Sequence, residues 1–361
     1  MLKPNPTVAS MAPYALPDIS AAEGVEPIVL AQNEHAFAPS VEVQQAVSEA
    51  IKSGQLYPDT DWSELRTAIA SVHGLDAGRI VCGAGSMELM SSLMLAYLSS
   101  GDRMLMTEYG YLFMRTLSKL VGAKVDVAPE IDYRVDVDGL LKRLQADTRL
   151  VFVVNPGNPS GTLIHNDEIR RLRAGLPEDV LLLVDEAYAE FVEPDFHSPL
   201  FDLAETTNTV ITRTFSKIYG LAGLRVGWGY FPNDVRDQLR KVINPSSVSS
   251  VSQAAARAAM SDQASAERAR QMIAEQRDFL SQAISGLGLA VVPSHTNFIL
   301  VDFASPEQAA AAFDFLRQRG LVVRPMGGYG LPGCLRITIG TAEQMALTAA
   351  TLAQWKVGVG D

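Results

Sequence analysis

The sequence predicts an α/β fold: a large domain built on a mostly parallel sheet flanked by helices, with a small α+β domain beside it. Three observations carry this. Short, continuous apolar runs alternate with helix-like segments through the middle of the chain, the pattern of strands buried on both faces. Polar clusters fall where those runs end, the place at which open α/β sheets bind ligands. An Ala-rich, charged helical stretch from about residue 247 to 287 then leads into a second group of strands.

The strands are predicted in order. Arg79–Cys82 is short and is followed by the turn Gly83-Ala84-Gly85-Ser86 and a helix from Met87 to about Ser99. Arg103–Met106 comes next. Leu150–Val154 ends at Asn155-Pro156-Gly157-Asn158-Pro159, Val180–Val184 ends at Asp185-Glu186, and Thr209–Thr212 precedes Arg213-Thr214-Phe215-Ser216-Lys217. Beyond residue 287, Ala290–Val292, Phe298–Val301, a helix near Pro306–Arg319, Leu321–Val323 and Leu335–Ile339 make the small domain. The expected division is 1–53 as an N-terminal segment packing with the small domain, 54–246 as the large domain and 247–361 as the small one.

Composition narrows the function. The chain has 361 residues, 47% of them apolar, and a net charge of -11, so a sizeable core forms and a nucleic-acid surface is disfavoured. An anionic ligand must therefore meet a local group of arginines. Cys82 and Cys334 are the only cysteines and make no disulfide framework. His35, His73, His165, His197 and His295 are scattered without metal-ligand spacing, so no metal is expected. The start, Met1-Leu2-Lys3-Pro4-Asn5-Pro6, lacks a continuous apolar segment, and no apolar run is long enough to span a bilayer. A cytoplasmic protein without membrane partners is expected.

Lys217 is the most informative residue. Thr214 and Ser216 precede it, and Arg225 follows eight positions later in the apolar, Gly-rich run Gly220-Leu221-Ala222-Gly223-Leu224-Arg225-Val226-Gly227. A solvated lysine needs no such neighbours. A lysine forming a Schiff base with a phosphorylated aldehyde does: the amine meets the aldehyde while hydroxyls and guanidinium hold the phosphate. Gly83-Ala84-Gly85-Ser86 offers close backbone approach and free N–H groups at a helix start, though a plain tight turn explains it equally. A dinucleotide fingerprint would want a small residue where Glu88 stands, which counts against NAD. Asp185, at a buried strand end, needs a partner, and a pyridinium nitrogen is a suitable one; a helix N-cap is the alternative. Tyr188 can then reach the ring's phenolic oxygen. Asn158 can donate to that oxygen or to a substrate carboxylate. Arg336, among β-branched residues, either faces solvent or holds a substrate carboxylate through both arms of its fork.

Together these motifs resemble the fold-type I, pyridoxal-phosphate-dependent aminotransferases nearly end to end, and within them the histidinol-phosphate aminotransferase group. Asn-Pro-x-Asn-Pro-x-Gly, Asp-Glu-Ala-Tyr, Thr-x-Ser-Lys with Leu-Ala-Gly-Leu-Arg-x-Gly, and Leu56-Tyr57-Pro58-Asp59 carry the likeness. The resemblance implies Lys217 as the cofactor-bound lysine and proton carrier, Asp185 at the pyridine nitrogen, and Tyr188 and Asn158 at the ring oxygen. It implies Gly85, Ser86, Thr214, Ser216 and Arg225 around the phosphate. Tyr57 would reach the phosphate of a neighbouring subunit, which implies a homodimer with shared active sites. Tyr111 takes the ring-stacking position, with Tyr109 as the fallback. Arg336 would hold the α-carboxylate, while Arg324, Tyr14 and Asn33 fall where the group contacts its substrate. Two departures stand near the expected substrate pocket: Met114 replaces the second tyrosine of Pro-x-Tyr-x-x-Tyr, and His35-Ala36 replaces the Asn-Pro of Asn-Glu-Asn-Pro.

The implied reaction moves an amino group from an amino donor to 2-oxoglutarate, with histidinol phosphate as first choice of donor and histidine biosynthesis as its setting. An aromatic amino acid is the runner-up, and a decarboxylase acting on an amino-acid phosphate is more distant. A cofactor-sensing module of a transcription regulator would need an added DNA-binding domain and a basic patch. An NAD oxidoreductase rests on Gly83-x-Gly85 alone and leaves Lys217 and Arg225 without a role.

Overall fold

The computed structural model describes residues 2–12, 18–193 and 200–360. Among these, thirteen strands form three sheets. They are β1 (Ile28–Val29), β2 (Ile80–Gly83), β3 (Arg103–Thr107), β4 (Lys124–Ala128), β5 (Thr148–Val154), β6 (Leu181–Asp185), β7 (Thr209–Thr214), β8 (Gly227–Tyr230), β9 (Ala290–Val292), β10 (Phe298–Asp302), β11 (Leu321–Val322), β12 (Arg324–Pro325) and β13 (Cys334–Thr338).

The central sheet runs β2-β8-β7-β6-β5-β3-β4. Strands β4, β3, β5, β6 and β7 pair in parallel, and β8 runs antiparallel to both β7 and β2. The expected parallel sheet is present, with one reversed strand in it. Every residue of β6 and β7 is buried, and apart from Asp185 and Arg213 they are Leu, Val, Ile and Thr. β-Branched and apolar side chains fit a pleat covered on both faces. In this sheet two strands, β4 and β8, were not predicted from the sequence. Lys-Val-Asp-Val-Ala alternates at a half-exposed edge, and Gly-Trp-Gly-Tyr carries glycines that strands usually lack.

Helices cover the sheet with one apolar face each. In the helix Ser86–Tyr97, Leu89, Met90, Leu93 and Met94 are buried at helical spacing. The stretch expected to be helical divides at Asp262 into Ser250–Ser261 and Gln263–Gly286. Asp262 marks the second start, its side chain accepting a hydrogen bond from Ser265 N at 3.1 Å. Along Gln263–Gly286 the buried residues Ala269, Ile273, Arg277, Leu280 and Ile284 lie three or four apart on one stripe.

The C-terminal part holds the antiparallel sheet β12-β13-β10-β9 and the helix Pro306–Arg317, close to the expected strands and helix. Strand β1 pairs in parallel with β11, so a segment near the N-terminus is stitched to the far end of the sequence. Leu30 N donates to Val322 O and Thr338 N to Leu30 O, extending that seam toward residues 31–33. No described helix is long and apolar enough to cross a membrane.

Candidate active site

The C-terminal ends of β5, β6 and β7 deliver Asn155–Asn158, Asp185–Tyr188 and Thr214–Lys217 to one edge of the sheet. They face a cavity of about 510 Å³. Its lining includes Gly85, Ser86, Tyr111, Asn158, Asp185, Tyr188, Thr214, Ser216, Lys217 and Arg225, and across from them Asn33, Arg324 and Arg336. Thirteen sequence-predicted residues thus converge.

Asp185 is 5% exposed and accepts from Thr212 Oγ1 at 3.0 Å. Burial, chiefly, lifts its carboxyl to about 7; the Thr212 hydrogen bond opposes the shift and the Glu186 charge adds to it. No described salt bridge reaches it. Lys217 Nζ donates to the backbone oxygens of Asn33 (3.1 Å) and Gln32 (3.4 Å). Burial first, then the Arg336 charge, pull its pKa down to about 8. A lysine so depressed holds a sizeable neutral, nucleophilic fraction near neutral pH.

A phosphate-sized cradle adjoins the lysine. Thr214 Oγ1 donates to Ser216 Oγ at 2.9 Å and accepts Ser216 N at 3.1 Å, so the Thr-x-Ser loop is locked. Arg225 takes a left-handed backbone, φ 51° and ψ 63°, unusual for a side chain of its size, and its Nη1 is held by Ala222 O at 2.9 Å. A Cβ added at Gly85 would lie 2.6 Å from Arg225 Nη2, and one at Gly227 would lie 2.4 Å from Ser86 N. Both glycines are required for the guanidinium and the helix start at Ser86 to meet. Glu88 closes the same turn by accepting from Ala84 N (2.6 Å) and Ser247 Oγ (2.5 Å).

The two asparagines of the Asn-Pro loop divide their work. Asn155 pairs both ends of its amide with Ile164 backbone atoms at 3.0 Å, a structural clasp. Asn158 turns to the cavity, where its Oδ1 accepts from Arg336 Nη1 at 2.6 Å. Arg336 Nη2 donates to Ala31 O at 2.9 Å, and its Nε is buried without a partner. Burial lowers the guanidinium's pKa, which makes a carboxylate partner more favourable.

The two candidate stacking rings lie in different places. Tyr111 lines the cavity. Tyr109 packs 6.0 Å from the Tyr133 ring in a separate apolar cluster with Met326 and Leu331. Tyr57 is 90% exposed and does not line its own chain's cavity. Tyr14 lies outside the described residues. Asn33 reaches the cavity, but its amide is already engaged by Tyr188 and Thr338. The expectation that Met114 and His35 stand by the substrate pocket is corrected. Met114 is fully buried in the core, on the inner face of the helix Phe113–Val121, and His35 lines a different cavity of about 200 Å³ against Ile218 and Tyr219. Sequence distance put them near the cavity; helix phase and chain direction turn them away.

Sequence reasoning missed Tyr329, Thr338, Thr212 and Asn297. Thr338 shares a strand face with Arg336 two residues away, a period-two signal that was available. Among the described residues no group of His, Cys, Asp or Glu converges to hold a metal ion.

Pyridoxal phosphate, expected from the sequence, fits these residues. The buried Asp185 carboxyl faces the cavity without a cation, and a protonated ring nitrogen supplies one. Arg225, the Ser86 N–H and the Ser216 hydroxyl, oriented by Thr214, present donors around a space kept open by Gly85. Lys217 offers its amine between the two.

Comparison with known proteins agrees. The model of the family "aminotransferase class I and II" matches residues 25–352. Histidinol-phosphate aminotransferase of Paramagnetospirillum magneticum is 44% identical over 98% of both chains, and that of Roseobacter denitrificans is 45% identical over 92% of both. The crystal structure of histidinol-phosphate aminotransferase from Sinorhizobium meliloti in complex with pyridoxal 5′-phosphate superposes with a TM-score of 0.91 at 28% identity, covering 99% of each chain.

Proposed function

This chain belongs to the class I and II aminotransferases, and we propose that it is a pyridoxal-phosphate enzyme moving the amino group of histidinol phosphate to 2-oxoglutarate. One observation carries the reading. The lysine, the buried acid, the phosphate cradle and two further arginines, Arg324 and Arg336, line a single cavity. A donor with a terminal phosphate and an acceptor with two carboxylates each need cationic groups in addition to those holding the cofactor.

When bound, pyridoxal phosphate supplies a ring that accepts the electrons left at a substrate carbon on deprotonation. The chain does the rest. Thr214, Ser216, Arg225 and the N–H of Ser86 hold the phosphate. Asp185 would hold a proton on the ring nitrogen, Tyr188 and Asn158 would meet the ring oxygen, and Tyr111 would stack on the ring. Lys217 Nζ would bind the cofactor's aldehyde and, as a free amine, would carry the proton removed from the substrate carbon. Arg336 receives a carboxylate of the acceptor, and Asn158 holds the guanidinium in place from the side. Arg324 receives the donor's phosphate.

Tyr57, Leu56 and Ile51 are large and exposed on one stretch of chain. They support a homodimer in which Tyr57 of one protomer completes the cavity of its partner. Division of the chain near residues 53 and 246 gives the cavity a sheet wall and a movable small-domain wall. A cytoplasmic location suits such a reaction.

Steady-state kinetics decide the donor. A kcat/KM for histidinol phosphate well above that for phenylalanine is expected. A preference for phenylalanine would move the assignment to aromatic amino acids, although the two departures that suggested them lie away from the cavity.

A further inference from the structure

Asn33 gathers more of the site's polar contacts than the reaction has so far used. Its backbone is left-handed, φ 55°, a conformation asparagine tolerates better than most residues. Its backbone N–H donates to Thr338 Oγ1 at 3.0 Å. That hydroxyl donates in turn to Asn33 Oδ1 at 3.2 Å. Thr338 Oγ1 uses a lone pair on the backbone N–H and gives its one proton to an acceptor on the side chain. Oδ1 is that acceptor, so the NH₂ end faces the other way, where Nδ2 lies 2.9 Å from Tyr188 Oη. Tyr188 therefore receives a hydrogen bond at Oη and keeps its own proton to give. The same residue's carbonyl oxygen accepts Lys217 Nζ at 3.1 Å and Asn297 Nδ2 at 3.0 Å.

We propose that Asn33 is a positioning residue that directs the Tyr188 proton into the cavity, so that Tyr188 acts as donor to the cofactor's ring oxygen. The inference rests on the aminotransferase reading of the site. Its chemistry is that of a relay with a fixed direction: Thr338 sets the asparagine amide, the amide sets the phenol, and the phenol donates to the ring oxygen. A donor at that oxygen draws off negative charge. It thereby weakens the oxygen's support for a proton on the adjacent nitrogen that joins the cofactor to Lys217. Loss of the relay should make that nitrogen hold its proton to higher pH.

The bound cofactor's visible band changes with that protonation, so an absorbance titration reads the effect without turnover. Asn33→Gly removes the amide and keeps the left-handed backbone accessible. The midpoint should rise by about half to one pH unit, the shift one net hydrogen bond supports. Asn33→Asp keeps the shape but makes every side-chain position an acceptor; the Tyr188 proton then turns to the carboxylate, and the midpoint should rise at least as far. Arg336, Asp185, Lys217 and Tyr329 also surround the Tyr188 ring, and a comparison in the Tyr188→Phe background cancels their contribution. There, Asn33→Gly should move nothing. Midpoints unmoved by Asn33→Gly, or moved equally in both backgrounds, overturn the assignment. A wild-type protein that forms no visible band with pyridoxal phosphate overturns the underlying reading instead.

Discussion

Asp185 and Glu186 are adjacent acids at the end of β6, and their surroundings are opposite. Successive side chains leave a strand on opposite faces. Glu186 turns into the core, where Arg213 Nε and Nη2 donate to it at 2.9 and 2.7 Å. The Phe201 and Trp228 rings lie 4.8 and 5.9 Å from that guanidinium. Asp185 turns to the cavity, hydrogen-bonded to the Thr212 hydroxyl and the Ala187 N–H and with Lys217 nearby, but in no ion pair, and its carboxyl is raised to about 7. One acid has its cation within the chain. The other is held for a cation that arrives with a ligand. Burial alone does not separate a structural charge from a functional one; the identity of the missing partner does.

The largest effect should come from the cavity side. Lys217→Ala should lower transamination by about a thousandfold or more, since nucleophile and proton carrier are lost together, while the cofactor still binds without a covalent link. Single-turnover absorbance with an amino donor measures it, and normal turnover would refute the site. Asp185→Asn should lower kcat by about a hundredfold or more with the fold intact. Arg213→Met should do the reverse. Stranding Glu186 should cost about 3–5 kcal/mol of stability in urea unfolding, with kcat of the folded fraction retained. A stable Arg213→Met, or an unfolded Asp185→Asn, would break the contrast between the two faces.

Smaller effects sharpen it. Arg336→Lys loses the planar fork and should raise KM for 2-oxoglutarate by about tenfold, with less change in kcat. The titrations have definite signs. Cofactor capture by the free protein needs neutral Lys217, so its rate should climb with pH about a midpoint near 8, well below the ordinary lysine value. A midpoint near 10.5 would contradict the burial of that amine. Asp185 has a folded pKa above its unfolded value of 3.8. Its contribution to stability is therefore present below about 4 and is lost as pH rises to about 7 in the cofactor-free protein. Cofactor loading should abolish that loss, which thermal unfolding against pH would show.

The cavity's two walls differed in how much the sequence revealed. The sheet wall is written in contiguous runs: Asp185 to Tyr188, and Thr214 to Lys217 with Arg225 close behind. Strands β5, β6 and β7 were legible because both faces are buried and the apolar run is unbroken. Strand β8 was not, because Gly227 and Gly229 are there for clearance and not for strand propensity. The opposite wall joins residues hundreds of positions apart, such as Asn33 with Thr338 and Asn158 with Arg336. Asn33 carries no local pattern, and Thr338 carries only its period-two place beside Arg336. The pairing of β1 with β11 and the bond from Thr338 N to Leu30 O bring these distant segments together.

Gly227 has a practical reach beyond its own turn. The space a methyl group would need there is taken by Ser86 N at 2.4 Å and Arg213 O at 3.0 Å. Even alanine would wedge the cradle's helix start away from the strand that carries Thr214. Attempts to retarget this scaffold to new amines must leave its glycine floor untouched.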